Sequence, residues 1–282
     1  MKTLSFFMFI YLFAGNPYFG SPQEPSHAFR FALITDMHLQ QNDTHNTETL
    51  RKAINDINRQ HDLAFVLVAG DIADKGDRTS MLTAKKLLDQ LNIPYYAVPG
   101  NHDTRYCRNG TARFDSVFGN HHFSFIFRQV RFIGFNTGQG NSINSGWISD
   151  DEMQWLQRQL NETKRSQPLI FVTHFPLNVT DVGNRDRFLQ MVTPWTVEAV
   201  LGGHYHRNLV FDEDGIPDVL TRTLQSNGII PGGYSVIEID HEIRFYEKKL
   251  NDNLPFLWLT LPYRPMHLPP IQHIEEQTSM PK

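Results

Sequence analysis

Apolar residues fall into short, nearly unbroken runs separated by stretches of helical periodicity, and that alternation predicts the architecture. Residues 29–35 read Phe-Arg-Phe-Ala-Leu-Ile-Thr, the pattern of a strand buried on both faces. Within 47–60, Leu50, Ala53, Ile54 and Ile57 recur at helical spacing and form one buried stripe. Residues 65–69 make a second strand, Met81, Ala84, Leu88 and Leu91 mark a second helix, and Pro94 precedes a short strand over 95–98. Strand, helix, strand, helix, strand means parallel pairing through right-handed crossovers.

Past residue 120 the pattern changes. Residues 122–127 and 130–136 read as a hairpin across Arg128-Gln129, and Ser149 with Glu152 makes a capping box for a helix burying Met153, Leu156 and Leu160. Buried strands follow over 169–172 and 197–201. Residues 208–211, 218–221, 234–239 and 243–249 are strand-like pieces joined by turns such as Asp214-Gly215, so this half is expected to be mostly antiparallel. The expected fold is α/β, a four-layer αββα sandwich of two mixed β-sheets flanked by helices. The Pro-rich tail from Leu254 is expected to wrap the surface or fray. No internal repeat, low-complexity tract or interdomain linker interrupts the chain.

Composition narrows the function. With 282 residues and 40% hydrophobic content the chain can bury a substantial single core. Its net charge of −4 and pI near 6.3 give no basic face to track a phosphodiester backbone, so long nucleic acid is not an expected partner. Lys2, the apolar run 4–14 and then Gly15, Asn16 and Pro17 have the form of a secretory signal. That run is shorter than the roughly 20 residues a membrane span needs. We therefore expect residues 1–21 to be removed, leaving one domain over 22–282 with no stable membrane insertion, exported to the periplasm or secreted. Cys107 is the only cysteine and cannot form an intrachain disulfide, which suits a bacterial periplasm. Asn42, Asn109, Asn161 and Asn178 head Asn-X-Ser/Thr triplets and keep a eukaryotic secreted origin open.

The chemistry lies where the predicted strands end. Asp36-Met37-His38, Gly70-Asp71, Gly100-Asn101-His102-Asp103, Thr173-His174 and Gly203-His204-Tyr205-His206 each follow a separate apolar run. Gly100 is expected to permit a turn that a side chain would resist. In α/β sheets the carboxyl ends of the strands bind ligands. Carboxylate, amide and imidazole without thiolate select divalent Mn, Fe or Zn and argue against a closed structural zinc site. The other histidines, His45, His61, His121, His122 and His241 among them, are read as packing or surface residues. Neither a Gly-X-Ser-X-Gly elbow nor a P-loop is present.

Asp-X-His, Gly-Asp, Gly-Asn-His-Asp, His and Gly-His-X-His, in that order over about 29–207, resemble the calcineurin-like metallophosphoesterases. The resemblance implies two divalent ions at the C-terminal strand ends, with Asp36, His38 and His206 on one, Asn101, His174 and His204 on the other, and Asp71 bridging. It implies hydrolysis by metal-bound hydroxide. His102 is then the candidate acid for the leaving oxygen, with Asp103 holding its ring, or else a hydrogen-bond donor to phosphate. Two divalent ions against two carboxylates leave a charge of about +2, so the site wants an anion such as a phosphate ester.

Gly70-Asp71-Ile72-Ala73-Asp74 with Gly76 resembles the cyclic-nucleotide phosphodiesterase branch. Purple acid phosphatases place an iron-binding tyrosine where this chain has Asp74. Many phosphodiesterases of the branch carry a second histidine where this chain has Phe175, a loop side chain that either stacks a nucleobase or simply packs, with Asn101 and His102 as further substrate contacts. The expected substrate is a small phosphodiester. An exported broad-specificity phosphomonoesterase is the alternative, and a metal-binding sensor or scaffold without turnover is the alternative of another class.

Overall fold

The structure, a computed structural model, describes residues 28–105, 107, 110–138, 145–226 and 229–263. The predicted signal segment, Asn109 and the end of the tail lie outside the described residues. Three parallel strands open the chain: β1 (Phe29–Ile34), β2 (Leu63–Ala69) and β3 (Tyr95–Val98), linked by helices α1 (Thr44–Asn58) and α2 (Arg78–Leu88). Asp43 caps α1 by accepting from His45 N and Asn46 N, and Asp77 caps α2 by accepting from Ser80 N, so both helices start at a side-chain oxygen. A single turn, α3 (Asn101–Thr104), and α4 (Ala112–Phe118) follow β3.

The second sheet begins with β4 (Phe123–Phe127) and β5 (Val130–Gly134), joined at Arg128 and Gln129 with φ of 42° and 74°. It continues through α5 (Asp150–Asn161), β6 (Leu169–Val172), α6 (Arg185–Val192), β7 (Val197–Gly202), β8 (Leu209–Glu213) and β9 (Ile216–Leu220). The turn between β8 and β9 is Asp214-Gly215, both at positive φ, the two-residue geometry that matches strand twist. The chain then returns to the first sheet as β10 (Gly233–Ile239), β11 (Glu242–Lys249) and β12 (Phe256–Pro262). The strand orders are β12-β11-β10-β1-β2-β3 and β4-β5-β6-β7-β9-β8.

Four layers result, as the hydrophobic pattern predicts. Phe31, Leu33, Phe65 and Leu67 face Phe132, Ile170, Ala199 and Val219 in a core between the sheets. Their neighbours Ala32, Ile34, Val66 and Val68 point the other way, onto α1 and α2. Ile133 and Phe171 meet Leu156 of α5 and Phe188 of α6 on the far side. Strands sandwiched in this way must be apolar on both faces, which is why the runs are unbroken. The tail departs from expectation: from Phe256 it forms β12, paired antiparallel with β11 at the sheet edge. Pro255 and Pro262 lie at its ends, where a missing N–H costs the ladder little.

Candidate active site

Every chemical motif sits where a parallel strand stops. Asp36 and His38 follow β1, Asp71 follows β2, Asn101 opens α3 after β3, His174 follows β6, and His204 and His206 follow β7. Backbone bonds stitch these ends together: Asp36 N donates to Gly70 O at 3.0 Å, His38 N to Asp71 O at 2.9 Å and Gly203 N to His174 O at 3.0 Å. The two sheets are joined by His204 N, which donates to the Asp36 carboxylate at 3.1 Å. Asp36, His38, Asp71, His204 and His206 all have φ between 47° and 69°. A side-chain-bearing residue pays on the order of 1–3 kcal/mol for that conformation, so the chain turns sharply five times to aim these groups inward.

Gly100 serves the site differently from the expectation. Its φ is −97°, open to any residue, but a Cβ there would overlap the Asp71 carboxylate. The glycine is required by close approach rather than by backbone angle.

The seven candidate ligands converge as two sets. In one, His38 Nε2 lies 3.1 Å from His206 Nε2, and Asp36 Oδ1 lies 3.3 Å from His206 Nε2 and 3.8 Å from His38 Nε2. In the other, His174 Nε2 is 3.2 Å from Asp71 Oδ2, and His204 offers a ring nitrogen within 4.8 Å of both. Asp71 Oδ2 also lies 3.6 Å from His38 Nε2, placing this carboxylate between the sets. Ligands bonded at about 2.0–2.2 Å stand roughly 3–4 Å apart around one ion, so the spacing fits a divalent metal. His174 Nδ1 donates to Ala69 O at 2.8 Å, which leaves Nε2 as its free lone pair. That Nε2 and Asn101 Oδ1 are buried without a hydrogen-bond partner. Carboxylate oxygens and imidazole nitrogens gathered this closely are a donor set for divalent cations, so these residues fit the metal pair that the resemblance implies.

The charges agree. Burial alone would raise Asp71, but the charge of His174, with those of His38 and His102, holds its carboxyl well below the usual range. Asp36 is likewise raised by burial and brought down further by His206 and His174. Burial lowers His174, yet Asp71 and Asp36 outweigh it and raise the imidazole to about 9, so without a metal a proton takes the cation's place. His204 is driven to about 4 by burial and the His174 charge, which keeps its lone pair free.

The structure orients His102 and reassigns Asp103 and Phe175. His102 Nδ1 lies 2.6 Å from the backbone oxygen of Asp74, and since a carbonyl only accepts, Nδ1 carries the proton and Nε2 is left for the pocket. Asp103, expected to hold that ring, instead accepts from Ile72 N, Ala73 N and Gly100 N at 2.8–3.1 Å beneath the loop. Adjacent residues of one helical turn do not face each other, so Asp103 points away from its neighbour. Phe175 is fully buried, 4.2 Å from the His204 ring by centroid, and offers no face to a nucleobase. Asp74, overlooked as a site residue, sets its Oδ1 3.4 Å from His38 Nδ1 and 3.5 Å from His102 Nδ1. Gln225 was also missed. It lines the cavity of about 350 Å³ along with His38, Asp71, Asp74, Asn101, His102, His204 and His206. The signal for Asp74 was its place three residues after Asp71; Gln225 had none.

A two-sheet α/β sandwich with carboxylates, an amide and imidazoles gathered at strand ends from both sheets defines a metal-dependent phosphoesterase class. Residues 29–208 match the calcineurin-like phosphoesterase family model, and the chain belongs to that family of phosphoester hydrolases, which use divalent metals. A protein of Arcobacter nitrofigilis named as a probable glycerophosphodiester phosphodiesterase, GpdQ, is 30% identical over 55% of this chain, which spans 60% of that relative's length. One of Rhodopseudomonas palustris, named as a probable cyclic nucleotide phosphodiesterase, is 25% identical over 75% of this chain and 87% of its own. Both names agree with the phosphodiesterase branch that Gly70 to Gly76 resembles. The purple acid phosphatase PPD1 of yellow lupin superposes with a TM-score of 0.62 at 15% identity, over 84% of this chain and 54% of that one, a likeness of fold.

Proposed function

We propose that this chain hydrolyses a small phosphodiester at a centre of two divalent ions, Mn, Fe or Zn, held by Asp36, His38 and His206, by Asn101, His174 and His204, and by a bridging Asp71. The observation that carries this reading is the convergence of His38, Asp71, Asn101, His204 and His206 on one cavity, with Asp71 Oδ2 3.2 Å from His174 Nε2 and 3.6 Å from His38 Nε2. When bound, the ions supply Lewis acidity toward the phosphate oxygens and lower the pKa of water.

The rest falls to side chains. His102 N donates to Asp71 Oδ1 at 2.9 Å, fixing the bridge and the imidazole together. With Nδ1 committed to Asp74 O, His102 gives a proton from Nε2 to the leaving oxygen only as an imidazolium, with the Asp74 carboxylate 3.5 Å from Nδ1. Asp103 secures the backbone of both catalytic loops. Among the described residues, no lysine or arginine lines the cavity. A monoanionic diester therefore suits the site better than a dianionic monoester, and with Phe175 buried a nucleobase is not required.

We further propose that residues 1–21 direct export and are removed, which N-terminal sequencing of the mature protein tests: an intact Met1 in a membrane fraction would make the segment an anchor. Substrate class is tested by kcat/KM of the metal-reconstituted enzyme on 3′,5′-cyclic nucleotides, glycerophosphodiesters, bis-aryl phosphate and aryl monophosphate. The diesters should lead; preference for the monophosphate would overturn the ordering, and no turnover with any of the three metals would favour a binding protein.

A further inference from the structure

Away from the strand-end centre, one more set of donors converges. Glu152 is expected to complete the capping box of α5, yet only half of that box forms: Ser149 Oγ accepts from Glu152 N at 3.1 Å, while the Glu152 carboxylate turns inward. Its Oε1 accepts from Asn136 N at 3.2 Å. Its Oε2 faces two imidazoles, 3.3 Å from His121 Nε2 and 3.5 Å from His122 Nδ1.

The protons on these rings are constrained. His121 Nδ1 lies 2.9 and 3.0 Å from the two oxygens of Asp115, a carboxylate that accepts only, so Nδ1 is the protonated nitrogen and Nε2 points at Glu152. A carboxylate behind the far nitrogen is the usual support of a metal-ligating histidine. His122 Nδ1 is buried without a hydrogen-bond partner, and its ring lies flat on Trp155 at 3.9 Å, which fixes the direction of that nitrogen. Donors at 3.3–3.5 Å match the separation of about 3.3 Å expected around a tetrahedral ion with bonds near 2.0–2.1 Å. Glu152 is 3% exposed, but the two histidine side chains are 24% and 19% exposed, so a water can complete the coordination from outside.

We propose that His121, His122 and Glu152, supported by Asp115, form a separate mononuclear site for a divalent ion of the zinc class. The ion would clip the start of β4 to the first turn of α5 and, through Asn136, to the end of β5. From there the chain runs to Gly138, where a Cβ would crowd Thr104 Oγ1 and Gly100 O, so the clip braces the approach to the catalytic loop.

The test counts zinc per chain in the full-length protein, stripped with chelator and titrated with ZnCl₂. Removing His121 and His122 together, as His121→Ala/His122→Ala, should lower the count by one in the wild type and equally in an Asp71→Ala background. Co²⁺ should give a tetrahedral visible band in Asp71→Ala that vanishes with the two histidines. Because deleting two imidazoles can also disturb folding, Glu152→Gln, which keeps the acceptor for Asn136 N, is the second variant and should weaken zinc binding about tenfold or more. An unchanged zinc count without the histidines, or unchanged affinity in Glu152→Gln, would overturn the proposal and leave an ion pair. The dinuclear reading fails on a different result, retention of its two metals by Asp71→Ala, so the two failures are distinguishable.

Discussion

The strand-end centre and the Glu152 cluster use the same groups, carboxylate and imidazole at about 3.3 Å, but hold them by different means. At the centre five candidate ligands sit in left-handed backbone, the carboxylates are fully buried, and the Nε2 atoms of His38 and His206 lie 3.1 Å apart. Asp115, His121, His122 and Glu152 all have negative φ, the Glu152 carboxylate is met by a backbone N–H, and the histidines are partly in water. Backbone strain and unsatisfied acceptors are costs a fold bears where binding repays them. The centre is thus the demanding site, built to hold charge it cannot neutralise alone. The cluster can rest as an ion pair, and a bound ion there would add stability rather than complete a reaction.

The largest test of that contrast is Asp71→Ala. Losing the carboxylate between the two ligand sets should deplete both metals by elemental analysis and take turnover to background. Full retention of two metals would remove Asp71 as the bridge. Next comes His102→Ala, which should keep its metals and lose about 10²–10⁴-fold in kcat for esters with poor leaving groups, with little loss for good ones. An equal loss across leaving groups would make His102 a phosphate contact. Asp74→Asn leaves the backbone oxygen that orients His102 and removes only the charge beside His38 and His102. It should cost about 10–100-fold in metal affinity or kcat/KM, the range for partners one step behind the ligands. Activity equal to wild type would return Asp74 to the surface.

The same contrast explains what the sequence made legible. Strand-end ligands announce themselves because a buried strand must be apolar and a sharp turn favours Gly or Asp, so Asp36, Asp71, His174 and His204 stand out at the boundary between the two patterns. The runs also implied two sheets, since both faces of β1 and β2 are buried. Pairing was less readable: β10 returns to lie beside β1 across 200 residues of chain, and nothing local specifies that partner. Asp103 was misread because adjacency in sequence suggested adjacency in space, which a helical turn forbids. Phe175 was misread because a loop aromatic can pack as well as stack. The Glu152 cluster draws on α4, the segment before β4, and α5, with no turn motif to mark it.

A third buried carboxylate sharpens the comparison and carries the smallest expected effect on the reaction. Asp218, in β9, is fully buried like Asp71, but no imidazole or guanidinium is set against it. Its Oδ2 accepts from Leu177 N at 2.6 Å, and its Oδ1 has no hydrogen-bond partner. Burial, helped by the charges of Glu213 and Asp181 and opposed by the Leu177 bond, pushes its carboxyl up to about 8. Where imidazoles hold Asp71 ionised, Asp218 keeps its proton. The sign for stability follows: the folded form binds more protons than the unfolded form between the ordinary aspartate value of 3.8 and about 8. Stability from this group is complete below the lower value and lost as pH rises through the window, at up to about 1.4 kcal/mol per pH unit. Asp218→Asn removes that loss. Its Tm should therefore fall less steeply than wild type between pH 5 and 8, by about 2–4 °C per kcal/mol for domains of this size. Metal content and kcat/KM should not change. Parallel Tm curves across that range would mean that Asp218 is ionised in the fold, and that burial without a cation does not suffice to neutralise a carboxyl here.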